Sequence, residues 1–269
     1  MEEDRMGSAE VHGSLWGAKA RDYAETVEAK FAPVYERILG ETSVGPGTTY
    51  LDVGCGPGLA AHLATRRGAR VAGLDAAATS IAIARERTAA GDFRVGEMEE
   101  LPWDDGSFGV VTGFNSFQFA SDFPHAVREG NRVLEPGGRM AIVVWGPDKD
   151  VAIAKMMSAI RNLLPPTPPN PQPPFSTPGR IEAVMEQAGM APRTSGDMEW
   201  VCEFPDLPSA LRSFFSTGGI VSAVQQVGAK AVSRAITESL AQFRTREGGY
   251  RLRNVLRYVI GEKAPGSRT

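Results

Sequence analysis

The residues that could do chemistry cluster at one place: Leu51-Asp52-Val53-Gly54-Cys55-Gly56-Pro57-Gly58, an apolar run that ends in a glycine-rich turn before Leu59. Glycines in such a turn let the backbone take positive φ and approach a ligand without Cβ clashes. The helix expected next offers unpaired N–H groups and the positive end of a dipole. A turn of this kind can hold a pyrophosphate, for which the fingerprint is G-x-G-x-x-G. Here the glycines are 54, 56 and 58, and Leu59 stands where that fingerprint needs its last glycine. Asp52, beside the loop, would repel a diphosphate but suits an ammonium group. Asp75 closes the next apolar run, 23 residues after Asp52, and a carboxylate there can accept both hydroxyls of a ribose. The loop therefore suits a nucleoside with a zwitterionic far end. S-adenosylmethionine has those parts.

The elements that must position these residues follow a strand–helix rhythm. Strands are expected over Thr48 to Val53, Arg70 to Leu74, Phe93 to Val95, Phe108 to Phe114 and Arg139 to Trp145. Helices are expected over Leu59 to Arg67, Ser80 to Ala90 and Pro124 to Leu134. Short apolar runs alternating with helices imply a parallel sheet covered on both faces. Ahead of it, residues 1 to about 13 read as disordered and Trp16 to Leu39 as one helix. Behind it come a helix over Val151 to Leu164 and a segment, Pro165 to Pro178, with eight of the 19 prolines. That segment reads as an extended surface linker or as a lid over a pocket. A helix over Arg180 to Gly189, a strand over Ser195 to Phe204, helices over Leu207 to Phe215 and Ile220 to Phe243, and a strand over Tyr250 to Ile260 complete the chain. In the last strand Arg251, Arg253 and Arg257 are expected on a solvated face.

Four motifs in order resemble those of the class I S-adenosylmethionine-dependent methyltransferases, in the branch of the ubiquinone/menaquinone-type C-methyltransferases. Asp52 to Gly58 resembles their first motif. Gly73-Leu74-Asp75 resembles the second acidic motif. Gly96-Glu97-Met98-Glu99-Glu100-Leu101-Pro102-Trp103 with Phe108-Gly109-Val110-Val111 resembles the third, and Arg132 to Arg139 the turn before strand five. The resemblance is close over residues 45 to 147. It implies a Rossmann-like α/β fold, a seven-stranded mostly parallel sheet with helices on both faces and a helical cap. It divides the chain into a tail and lid helix (1–44), a cofactor-binding core (45–147) and a region with the last strands, the Pro-rich strap and a substrate cap (148–269). It implies that Asp52, Gly54, Cys55, Gly56 and Gly58 surround the methionine end of the cofactor, and that Asp75 with Ala76 takes the ribose. Glu97, where the family usually has Asp, would receive the adenine amino group, with Met98 and Glu99 beside it. Asn115 would line the methionine end, and Trp16 and Tyr23 would cover the donor.

Methyl transfer from a sulfonium needs alignment and a dry, aromatic site more than it needs a catalyst group. Phe117, Gln118 and Phe119 after the fourth strand, and Phe214 and Phe215 in the cap, are the expected acceptor contacts. His12 is the candidate base. Packing, helix capping and solvated surface stay open as rival roles for several of these. A nicotinamide-dependent oxidoreductase and a non-methylating cofactor binder, such as a cyclase or regulatory module, are the alternative functions.

The bulk composition narrows the partners. Net charge is −3, with 42% hydrophobic and 23% charged residues. No basic stripe is present, so a small-molecule acceptor is favoured over nucleic acid. Cys55 and Cys202 form no C-x-x-C pair, and no H-x-x-x-H spacing occurs, so no metal is expected. The polar N-terminus lacks an apolar signal core and no run spans a bilayer, which suits the cytoplasm. A homodimer is allowed by the sequence.

Overall fold

The computed structural model describes residues 8–166 and 172–265. Seven strands form one sheet: β1 (Thr49–Val53), β2 (Arg70–Asp75), β3 (Asp92–Val95), β4 (Phe108–Phe114), β5 (Leu134–Trp145), β6 (Met190–Phe204) and β7 (Tyr250–Lys263). Their order is β3-β2-β1-β4-β5-β7-β6. The first five pair in parallel, while β7 runs antiparallel to both β5 and β6. β1 and β4 are buried along nearly their whole length. That two-sided burial is why they read in sequence as continuous apolar runs.

The helices are α1 (Ser8–Gly17), α2 (Ala20–Thr26), α3 (Ala32–Glu41), α4 (Leu59–Arg66), α5 (Ala78–Arg87), α6 (Phe123–Val133), α7 (Ala152–Arg161), α8 (Arg180–Gln187), α9 (Leu207–Phe214), α10 (Gly218–Val227) and α11 (Ala229–Leu240). One core packs α3, α4, α7 and the α9–α11 cap against the sheet. A second core packs α6 and α8 on the other face. The chain winds from β1 outward to β3, then returns past β1 to β4. The carboxyl ends of β1 and β4 therefore flank a topological switch point, where open α/β sheets bind ligands.

Several expectations need correction. α1 begins at Ser8, so His12 lies on a helix and not in a disordered tail. The helix read over Trp16 to Leu39 is broken at Ala18-Lys19 and again by a 3₁₀ turn at Glu28–Phe31. The helix read over Ile220 to Phe243 breaks at Gly228, with φ +83°. β5 and β6 start earlier than their apolar runs because the sheet partners extend the ladder. Arg257 is buried and pairs with Glu182 at 2.9 Å. In the Pro-rich segment, residues 167–171 lie outside the described residues. Beyond them, Phe175 packs on Phe123 of α6, with ring centroids 4.6 Å apart. That part of the segment covers the α6 face and leaves the ligand crevice alone.

Candidate active site

A cavity of about 320 Å³ opens at the carboxyl ends of β1, β2 and β4. Its first wall is the glycine loop. Gly54 has φ +72°, and a Cβ there would stand 2.3 Å from the Ser116 Cβ, so only glycine fits. The amides of Gly54 and Cys55 both donate to the Leu74 carbonyl, at 2.7 and 2.9 Å. Asp75 completes the fastening. Its carboxylate accepts from the Gly56 amide at 2.8 Å and from the Ala77 amide at 2.8 Å. Burial pushes the Asp75 pKa up, and these two amide bonds pull against that shift. Asp75 thus holds the loop while one face of it still lines the cavity.

Glu97 forms the next wall. Its carboxylate accepts from the Met98 amide at 2.8 Å and, across the cavity mouth, from the Ala9 amide of α1 at 2.7 Å. A negative group at this helix start complements the dipole. α1 then lies close over the β2 end. A Cβ on Gly13 would meet the Ala76 carbonyl oxygen at 2.6 Å. The Thr79 hydroxyl donates to the Gly17 carbonyl at 2.9 Å. Trp16 packs edge-on to Tyr23 and Phe119, at 5.6 and 5.8 Å. The His12 ring rests 5.0 Å from Phe119. Burial lowers the His12 pKa and Glu97 partly offsets it, so the imidazole is neutral at physiological pH.

Asn115 carries the plainest sign of a ligand. It sits at φ +52°, an uncommon backbone for a non-glycine residue, of the kind that collects at functional sites. Its Oδ1 and the Oε1 of Gln118 are buried without a hydrogen-bond partner, and both residues line the cavity. Two orphan acceptors beside the carboxylates of Asp75 and Glu97 make a wall that receives donors: hydroxyl, amino and ammonium groups. A diphosphate would face the Asp75 and Glu97 carboxylates there, whereas the hydroxyl and amino groups of a nucleoside joined to a sulfonium amino acid fit.

The far end of the cavity is apolar. Phe31 stacks on Trp200 at 4.0 Å, and Trp145 approaches Trp200 at 5.6 Å. Phe114, Met156, Met157, Phe204 and Phe214 extend this lining. Of the residues expected from sequence, the cavity gathers His12, Trp16, Tyr23, Gly54, Gly56, Asp75, Ala76, Glu97, Met98, Asn115, Gln118, Phe119 and Phe214. Six do not line it. Asp52 is 2% exposed and accepts a 2.8 Å bond from the Thr112 hydroxyl. Cys55 is buried against Gly73. Gly58 is the αL residue before α4. Glu99 accepts from the Ser121 and Asp122 amides at 2.5 and 3.1 Å, securing the loop before α6. Phe117 is core at 1% exposed, and Phe215 packs against the cap core. Sequence reading missed Phe31, Trp145, Met156, Met157 and Trp200. Only Trp145, at the carboxyl end of a recognised strand, carried a signal.

A methyltransferase domain model matches residues 51–142. The chain is 30% identical over 188 residues to a malonyl-[acyl-carrier protein] O-methyltransferase of Erwinia billingiae, covering 68% of this chain and 71% of that one. It is 39% identical over 105 residues to the protein of the same name from Serratia marcescens, covering 39% and 41%. The chain spans about half the length of the first curated relatives it matches. Among solved structures it resembles geranyl diphosphate C-methyltransferase from Streptomyces coelicolor, whose structure holds S-adenosyl-L-homocysteine. That likeness has a TM-score of 0.53 and 20% identity, over 87% of this chain and 76% of that one, and is a likeness of fold. The glycine cradle, the donor-receiving wall and these relatives agree: the chain belongs to the class I S-adenosylmethionine-dependent methyltransferases.

Proposed function

We propose that this protein transfers a methyl group from S-adenosylmethionine to a small hydrophobic organic acceptor. The supporting observation is one cavity with two unlike ends, a wall of hydrogen-bond acceptors joined to an aromatic chamber. The malonyl group in the names of the relatives supports a small organic acceptor group.

When bound, the cofactor supplies a methyl already activated on a sulfonium, open to in-line displacement with S-adenosylhomocysteine as product. The protein's own part is alignment and exclusion of water. Asp75 receives the ribose hydroxyls and Glu97 the adenine amino group. Asn115 and Gln118 offer their unpartnered oxygens to the remaining donors. Asp52 acts from behind, by stiffening the β1–β4 seam. α1 and α2 cover the site, with Trp16 of the first and Tyr23 of the second turned inward. His12 stands at the Glu97 end, against Phe119, and we assign it to closing the site rather than to proton transfer. The chamber is formed by Phe31, Trp145, Trp200 and Phe214, which hold the acceptor's apolar body away from water. In this reading residues 1–44 act as lid, 45–147 as cofactor core and 148–269 as acceptor region. The enclosed site and the net charge of −3 favour a small acceptor over nucleic acid. Both cysteines are free and buried. That suits a reducing compartment, and we place the protein in the cytoplasm.

Calorimetry tests the reading. S-adenosylhomocysteine is expected to bind and NADH to give no heat. Asp75→Ala is expected to weaken the former by roughly 1–3 kcal/mol, the usual cost of leaving partners unsatisfied. Binding of NADH with none of S-adenosylhomocysteine would overturn it.

A further inference from the structure

Lys30 is the one lysine or arginine among the described residues that lines the cavity. It stands at the apolar end. Its Nζ donates to the Thr26 carbonyl at 2.7 Å and lies 5.1 Å from the centre of the Phe204 ring. Its own carbonyl accepts from the Trp200 indole at 2.8 Å, which fixes its backbone to that wall. An ammonium has three donors and can take a counter-ion. Among the described residues the surrounding carboxylates are already taken. Asp22 and Glu25 pair with Arg212 at 2.7 and 2.5 Å, Glu28 with Arg87 at 2.7 Å, and Glu203 with Arg251 at 3.3 Å. Asp75 and Glu97 belong to the opposite wall. Lys30 is half-buried, with its ammonium over the Phe204 ring, and it presents the apolar end with a positive group that has donors to spare and no acid paired to it.

We infer that Lys30 receives an anionic group of the acceptor, so that the substrate class is an amphipathic acid. Its apolar body lies against Trp145, Trp200 and Phe214, and its carboxylate meets the ammonium. This rests on the methyl-transfer reading of the cavity. The other anion available is the methionine carboxylate of the cofactor. Lys30 reaches toward Phe204, whose ring packs on Phe214 of α9 in the acceptor half, which favours the acceptor as the source.

The test uses the full chain with S-adenosylhomocysteine, and decanoate and 1-decanol as matched probes. Tryptophan emission reports occupancy, since Trp145 and Trp200 wall the chamber. Decanoate is expected to bind about tenfold or more tightly than decanol, the scale of one hydrogen bond to a charged group. Lys30→Met and Lys30→Gln are expected to erase that preference and Lys30→Arg to keep it, with S-adenosylhomocysteine affinity unchanged in all three. Equal binding of the two probes to the unmodified protein would overturn the inference. So would loss of S-adenosylhomocysteine affinity in Lys30→Met with the decanoate preference intact, which would give the lysine to the cofactor. Failure of the unmodified protein to bind S-adenosylhomocysteine would instead strike the methyl-transfer reading itself.

Discussion

Asp52 stands beside the glycine loop but is buried in the sheet, where its carboxylate accepts from the Thr112 hydroxyl. Burial raises its pKa from 3.8 to about 8, against the pull of the Thr112 hydroxyl bond. The folded protein therefore holds this proton more tightly than the unfolded chain does. A raised acid contributes stability that is complete below its unfolded pKa and is lost as pH climbs through the folded value. Asp52→Asn keeps an acceptor for Thr112 and removes the titration. Between about pH 5 and pH 8 the native protein is expected to lose denaturant resistance relative to the Asn variant. Guanidinium titrations across that range check it, and parallel profiles would contradict the assignment. The loop and its two acids were legible because each residue type has one good reason to be there. Whether an acid faces the cavity or the sheet was not legible, since Asp52 and Asp75 both stand near the carboxyl ends of apolar strands and only the packing separates them.

At the scale of elements, the 3₁₀ turn at Glu28–Phe31 joins α1 and α2 to the core. Glu28 is 2% exposed. Its carboxylate accepts from the Leu59 amide at the start of α4, at 2.9 Å, and from Arg87 at the end of α5, at 2.7 Å. Arg87 also donates to the Pro57 carbonyl of the glycine loop at 2.8 Å. Burial raises the Glu28 pKa, and Arg87 opposes that shift. Removing one partner strands the other charge. Glu28→Ala is therefore expected to cost about 3–5 kcal/mol of stability in urea unfolding. A loss below about 1 kcal/mol would mean that water replaces the carboxylate freely. Sequence periodicity located β4 at its true bounds because a strand buried on both faces is apolar throughout. It could not find α1, whose anchors are tertiary: the Glu97 carboxylate at Ala9, and Gly13 against the Ala76 carbonyl.

The whole molecule brings together two aromatic residues that the chain keeps far apart. Trp145 ends β5 and Trp200 lies on the outermost strand, β6, with β7 between them. Their meeting depends on the β5–β7–β6 pairing, which no local pattern announces, so the aromatic end of the cavity was largely invisible in the sequence. Trp200→Ala is expected to cost about 3–5 kcal/mol of stability, as large-to-small changes in a core do. If the two ends of the cavity act separately, the variant is also expected to retain S-adenosylhomocysteine binding while losing affinity for apolar acids. Calorimetry with the two ligand types checks both parts, and equal loss of both would show the ends to be coupled.

Phe204, the last residue of β6, pairs directly with Tyr250, the first of β7. Everything from 205 to 249, including α9 to α11, therefore departs from the sheet and rejoins it at neighbouring positions. Such an excursion can be lengthened, shortened or traded for a different one without shifting the register of the strands that carry the glycine loop and Asp75. The topology separates what a lineage must keep from what it is free to vary. Divergence in acceptor choice is expected to accumulate in that one closed detour, while Lys30, Phe31 and Trp145 stay behind as the fixed side of the chamber.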